Sequence, residues 1–338
     1  MDLNLVWYLL LGALFTGYVL LDGYDFGVGA LHLFSEGEEE RRTLMNAVGP
    51  VWDGNEVWLV AGGGALFAAF PAVYAAVFSG FYPAVMLLLF ALIARAVALE
   101  FRGKLPAARW KKFWDAAFFA GSALAPFLLG VAAGNLALGL PLNAAGEFAA
   151  GVPFLLRPYA LLIGALALSL STLHGALYLL LKTDGPLRQK AHRWARKAFL
   201  LFLVLYVLAT ASTLLFVPRF VAPLLEHPAL WLVPLVTITA LAVLFRALRR
   251  DRPLIALLAS GTVIAGLMAL FGLGLFPHLV HSVPSPENSL TVYNAASSPK
   301  TLAIMLRIAA LGLPPALAYT VVVHWIFRGK VKLDPSGY

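Results

Sequence analysis

The chain has 338 residues, of which 61% are hydrophobic and only 12% charged, with a mean hydropathy of +0.84. Soluble domains carry about 25% charged residues, so a globular protein wetted on all sides is excluded, and the lack of any cysteine excludes disulfides, thiolate metal sites, iron–sulfur clusters and cysteine nucleophiles. A net charge of +8 and a pI near 9.7 would suggest nucleic acid for a soluble protein, but the basic cytoplasmic loops of a membrane protein account for them without such a partner.

A spanning helix needs about 20 largely apolar residues. In chain order the segments that qualify are Leu5–Phe34, Val51–Phe70, Ala72–Leu99, Phe113–Leu138, Phe154–Leu181, Phe199–Val217, Leu230–Leu248, Leu254–Phe276 and Leu302–Phe327. Proline, which cannot continue a helix without losing a backbone donor, marks many junctions: Pro50, Pro71, Pro106, Pro153, Pro218, Pro253, Pro277 and Pro299. The expected fold is all-α: a polytopic bundle of about nine transmembrane helices forming one domain over residues 1–338. It is open to division into two four-helix groups, about 5–138 and 154–276, with a ninth helix at about 302–327. The start, Met1-Asp2-Leu3-Asn4, lacks the basic stretch of a signal peptide, so the first span is expected to be retained.

Basic residues fix the expected orientation. Twenty lie in alternate connections and the C-terminal tail, against three (Arg157, Arg219 and Lys300) on the opposite side. This bias places the N-terminus outside and the C-terminus in the cytoplasm. The connection 35–50, with Glu36, Glu38, Glu39 and Glu40 beside Arg41 and Arg42, is read as a cytoplasmic loop.

Ionisable groups inside a membrane are costly and mark function by default. At about 1.5 Å per residue, Asp22 and Asp25 lie about 26 and 30 Å along the first span, on one face and toward the cytoplasm. Asp53 and Glu56 repeat that spacing at the start of the second span, Arg95 and Glu100 end the third, and Asp115 opens the fourth. Seven ionisable residues on four helices thus gather at one leaflet. A proton entry path is one reading, since desolvated carboxylates can take and release protons near neutrality. A structural reading stands beside it: Asp53 and Asp115 at helix N-termini, and Arg95 as a partner to a carboxylate.

Gly23 and Gly27 form a small-xxx-small pair suited to close helix packing, and Gly62-Gly63-Gly64 would admit a neighbouring backbone. His174, in mid-span, is read first as a hydrogen-bonded packing residue, with haem ligand or proton relay as alternatives. His278 and His281 form a weak pair in the outer loop. His192 and His324 lie near basic segments, and His32 and His227 near helix ends. No metal site is expected, and no catalytic residue is assigned to this chain.

Several stretches carry a resemblance. Asp22-Gly23-Tyr24-Asp25-Phe26-Gly27-Val28-Gly29 and Trp52-Asp53-Gly54-Asn55-Glu56-Val57-Trp58-Leu59 resemble the DGxDxGVG and WDGNxVWL stretches of subunit II of cytochrome bd-type quinol oxidases. Gly63–Pro71, Tyr74-Ala75-Ala76, Trp114-Asp115, Gly121-Ser122, Gly130–Leu136, Phe276-Pro277, Asn288–Thr291 and Ala296-Ser297-Ser298 extend the likeness from about Leu5 to Phe327. The sequence departs from some members at Glu56 (Gln there), at Ala94-Arg95-Ala96-Val97 (an Arg-Pro pair there), at Glu100 (Asp there) and at His278 (apolar there).

The resemblance implies a nine-helix subunit of a prokaryotic inner-membrane respiratory complex that oxidises quinol and reduces dioxygen to water. It implies a haem-bearing subunit I as partner, holding the b and d haems, with lipids, quinol and in some members a small accessory subunit or a quinone bound in subunit II. No residue here is assigned to that quinone. Proton-transfer roles carry over to Asp22, Asp25 and Asp53, and to Glu56 by position, with Arg95, Glu100 and Asp115 as supporting ion pairs. Two competing readings are a proton- or ion-coupled secondary transporter, which predicts polar groups at the midplane, and a scaffold that only stabilises its partner.

Overall fold

The computed structural model describes residues 2–283 and 285–333. The helices are α1 (Leu3–Leu31), α2 (Gly37–Val48), α3 (Trp52–Ala69), α4 (Pro71–Gly80), α5 (Tyr82–Phe101), α6 (Ala108–Leu138), α7 (Pro158–Lys182), α8 (Gly185–Phe216), α9 (Ala222–Glu226), α10 (Leu232–Arg249), α11 (Pro253–Leu275) and α12 (Pro299–Ile326). Among the described residues eight helices are long and apolar enough to cross a membrane, or nine spans if the bent α3–α4 pair is counted as one.

Four expectations change. The stretch 35–50 is not a loop: α2 lies there, with Glu38, Glu39 and Glu40 in its first turn and Leu44, Met45, Ala47 and Val48 buried. Acidic residues suit a helix N-terminus, and the buried side chains give α2 one apolar face. The expected span Ala72–Leu99 is two helices. Pro71 breaks the chain after α3, and the axis turns by 120° into α4; a second break at Phe81 starts α5. The carbonyls left at the end of α3 find donors in the α11–α12 connection, where Ser297 N bonds Ala69 O at 2.8 Å and Ser297 Oγ bonds Ala68 O at 2.6 Å. The fourth span starts at Ala108 rather than Phe113. The basic connection 182–198 is mostly helical, because Leu187, Ala191, Ala195 and Ala198 bury one stripe of α8 at three- and four-residue steps.

α1 is the central helix, packing on α3, α6, α7, α11 and α12. Every residue from Asp22 to Leu31 is buried. Without a hydrophobic drive between helices in lipid, such packing depends on small residues. Gly27 meets Gly175 of α7 so closely that an added Cβ would lie 1.9 Å from Ser171 O, and Gly29 faces Ser122 of α6. Gly23 is not part of that crossing; a Cβ there would come no nearer than 4.0 Å to His174. Gly62 packs on Phe15, while Gly63 and Gly64 face open space. At the end remote from α2, a short antiparallel pair, β1 (His278–Val280) and β2 (Leu290–Thr291), caps the bundle, tied to the α6–α7 connection through Leu140 and Ser282.

Candidate functional site

The glycines that draw α1 into the centre carry two carboxylates with it. Asp22 and Asp25 are at most 1% exposed. A buried charge must be paired or it is very costly, and α5 supplies the partner. Gly121 of α6 lets α5 approach so closely that a Cβ would lie 2.4 Å from Ala91 O, which sets Arg95 deep against α1. Arg95 Nη1 donates to Asp22 Oδ1 at 2.5 Å and Nη2 to Glu56 Oε2 at 3.0 Å. Its guanidinium also lies 4.4 Å over the Phe26 ring. One side chain thus joins α1, α3 and α5. Asp22 and Arg95 are sealed in, while the Glu56 side chain is 21% exposed.

Asp25 is held differently. Asn55 Nδ2 donates to Asp25 Oδ2 at 2.8 Å and to the Tyr24 hydroxyl at 2.7 Å. The Tyr24 hydroxyl contacts His324 Nε2 of α12 at 2.7 Å, and His324 Nδ1 donates to Thr320 O at 2.8 Å. Tyr24 itself stacks on Tyr178 at 4.2 Å between centroids. Asp22 Oδ2 and Asp25 Oδ1 make no hydrogen bond among the described residues, and the Tyr18 hydroxyl beside Asp22 is likewise buried without one. Each carboxyl therefore has one anchored oxygen and one that is open to a proton.

A second cluster surrounds Asp115. His32 Nε2 lies 2.6 Å from Asp115 Oδ1, Arg102 Nε donates to the same oxygen at 2.5 Å, and Arg41 Nη1 donates to Oδ2 at 2.7 Å. Arg102 and Lys111 also hold Glu38, at 2.9 and 2.8 Å. Burial pushes the Glu38 carboxyl up, but these two cations pull it down further, so it stays below its ordinary range. This network pins α2 across the ends of α5 and α6.

The acidic residues therefore divide. Asp22, Asp25, Glu56 and Arg95 come together. Asp53 stands in the first turn of α3 on its exposed face, one helical turn from Glu56. Asp115 is not at a helix N-terminus, because α6 begins seven residues earlier; it belongs to the second cluster. Glu100 is half-buried in the last turn of α5. His174 is a packing residue by its contacts, with Nδ1 at 2.6 Å from Ser260 Oγ and Nε2 at 3.1 Å from Leu20 O. Sequence reasoning missed Asn55, Tyr24, His324 and His32 as parts of these networks. Asn55 carried a signal, being an amide between two carboxylates on a spanning helix. Among the described residues no group of three or more His, Asp or Glu side chains is placed to hold a metal ion.

A family profile described as "Cytochrome bd terminal oxidase subunit II" matches residues 3–327. The chain is 34% identical over 367 residues to the cytochrome bd-I ubiquinol oxidase subunit 2 of Escherichia coli (strain K12), covering 98% of this chain and 96% of that one. It is 35% identical over 345 residues to the cytochrome bd ubiquinol oxidase subunit 2 of Bacillus subtilis (strain 168), covering 100% and 99%. Its fold is similar to that of a chain in the structure of bd oxidase from Geobacillus thermodenitrificans, with a TM-score of 0.79 at 18% identity over 97% of this chain and 99% of that one. The chain belongs to the cytochrome bd terminal oxidase subunit II family and is a multi-pass protein of the bacterial inner membrane.

Proposed function

We propose that this chain is the subunit II of a quinol oxidase that reduces dioxygen to water, and that its buried carboxylates carry protons from the cytoplasm toward a haem-bearing subunit I. The observation that carries the reading is the Arg95 bridge between sealed Asp22 and partly open Glu56. Glu56 and Asp53 would collect protons on the outer face of α3, and Asp22 and Asp25 would hold them in the interior on their unpartnered oxygens. Arg95 keeps this concentration of carboxylates affordable in a low dielectric. Asn55 is a positioning residue, because an amide donates hydrogen bonds but does not cycle a proton.

Subunit I is expected on the face formed by α3, α5 and α12. Val60, Phe90 and Leu311 there are 71%, 66% and 78% exposed, and α12 buries only Leu302 within this chain. Asp53 opens onto that face. The b and d haems are assigned to subunit I. An axial ligand needs a free imidazole nitrogen, and both nitrogens of His174 and of His324 are engaged, so neither of these two is placed as a ligand. Quinol oxidation is likewise assigned to the complex, and a small accessory subunit is compatible with the uncovered surface. Nothing in the site favours the transporter reading, since the buried charges sit toward one end of the spans.

The test is turnover per haem in Asp22→Asn, Asp25→Asn and Asp53→Asn, each in the assembled complex. Slow turnover with normal haem content supports the path. Normal turnover per haem in all three would sink it, and activity that falls only in step with haem content would mark a scaffold.

A further inference from the structure

A groove of about 460 Å³ runs along the outside of α10 and α11, lined by Leu235, Thr239 and Val243 on one helix and by Ile255, Leu258 and Thr262 on the other. Its volume is in the range of ligand sites. Its surface offers nothing to a polar ligand: the Thr239 and Thr262 hydroxyls donate to Leu235 O and Leu258 O of their own helices, at 2.8 and 3.1 Å. At 1.5 Å per residue Leu235 lies about 21 Å and Ile255 about 3 Å from the α10–α11 turn, so the groove runs about 18 Å along the hairpin. That is shorter than a hydrocarbon core of about 30 Å, so it fits an acyl chain rather than a spanning helix.

The end of the groove is strongly basic. The stripe Thr239, Val243 continues at helical spacing into Arg246 and Arg250, and Arg252 stands one turn before Ile255. Among the described residues these three arginines have no side-chain hydrogen bond or ion pair. The nearby carboxylate, Asp251, is held by Arg188 at 2.7 Å, and the guanidinium of Arg249 lies 4.3 Å over the Phe245 ring. An apolar slot shorter than the hydrocarbon core and ending in three unpaired guanidinium groups has the chemistry of a lipid tail below an anionic headgroup. We infer that the α10–α11 groove binds one acyl chain of an anionic phospholipid whose phosphate is held by Arg246, Arg250 and Arg252. α10 packs on α11 and α8, away from the α3–α5–α12 face, so the site is separate from the proton path.

The experiment is native mass spectrometry of the assembled complex released from nanodiscs of equal parts phosphatidylglycerol and phosphatidylcholine. The unchanged complex should retain phosphatidylglycerol in preference. Arg246→Gln/Arg250→Gln/Arg252→Gln should lower that preference at least about tenfold, since each cation near an anionic headgroup contributes measurably. Ala240→Leu/Ala259→Leu, which fills the groove, should lower retention with the arginines intact. Arg193→Gln/Arg196→Gln/Lys197→Gln removes as much charge from the exposed surface of α8 and should leave the preference in place. Haem content and subunit ratio verify that each variant is assembled. Equal phosphatidylglycerol retention in the arginine triple variant, equal losses in the α8 control, or a small single-span protein held at the groove in place of lipid would each overturn the inference.

Discussion

Arg95 Nη1 donates to Asp22 Oδ1 at 2.5 Å with both side chains at most 1% exposed, so each charge compensates the other where water does not reach. Removing one partner of a buried pair typically costs about 3–5 kcal/mol, because the other is left uncompensated. Arg95→Leu should therefore lose most of the assembled complex. Asp22→Leu/Arg95→Leu should recover part of the assembly but not the turnover. Size-exclusion yield and turnover per haem measure the two effects separately.

The packing of α1 makes a second prediction. Gly27→Ala would drive a methyl into Ser171 O and the Gly175 backbone, neither of which can move as a side chain can. Overpacking costs about 1–3 kcal/mol where neighbours can adjust, so the loss here should reach or exceed that range. Gly63→Ala meets nothing within 4 Å in this chain and should leave its fold intact. The thermal midpoint of the purified complex is the readout. A midpoint for Gly27→Ala equal to that of the unchanged complex would contradict the crossing.

Nearly all of the span pattern was legible in the sequence, because about 20 apolar residues between prolines leave few other interpretations. The bend at Phe70 was not. Pro71 announced a break, but the 120° turn depends on Ser297, more than 200 residues away, meeting the carbonyls of Ala68 and Ala69. Helix α2 was hidden because a hydropathy reading counts its three glutamates and two arginines as loop, although its acidic first turn and its apolar Leu44, Met45 and Val48 are a surface-helix pattern. For the site, spacing placed Asp22, Asp25, Asp53 and Glu56 at one depth but could not say which faced inward. Depth follows from helix rise; facing depends on neighbours, and those were set by Gly27 and Gly121. The same limit left the partners of Asp115, expected as a supporting ion pair, unnamed: Arg41 comes from an unforeseen helix and Arg102 from the turn after α5.

Orientation can be tested directly because the chain has no cysteine of its own. The basic-residue bias puts the α7–α8 end in the cytoplasm and the α11–α12 connection outside. In intact cells Glu287→Cys should react with a membrane-impermeant maleimide, and Gln189→Cys should react only after lysis. The reverse pattern would invert the topology.

The β1–β2 cap should be sensitive to acid. Burial, then Arg219, then His278 push the His281 imidazole down to about 4 from an ordinary 6.5. A histidine lowered in the fold binds its proton more readily when unfolded. Its contribution to stability is therefore complete above pH 6.5 and is lost as pH falls through about 4. The thermal midpoint of the unchanged complex should fall more steeply across that interval than the midpoint of His281→Asn. Parallel curves would remove His281 from the account.

The central claim is that Asp25 and Glu56 carry protons rather than only brace helices. Proton uptake from the cytoplasmic side, followed with a pH-sensitive dye after the reduced complex is mixed with oxygen, tests it most directly. In Asp25→Asn and Glu56→Gln, with haem content and electron transfer from quinol intact, uptake should be slowed about a hundredfold or more, the lower end of what a lost proton-transfer group costs at about 10²–10⁴. Uptake at the rate of the unchanged complex in both variants would contradict the account.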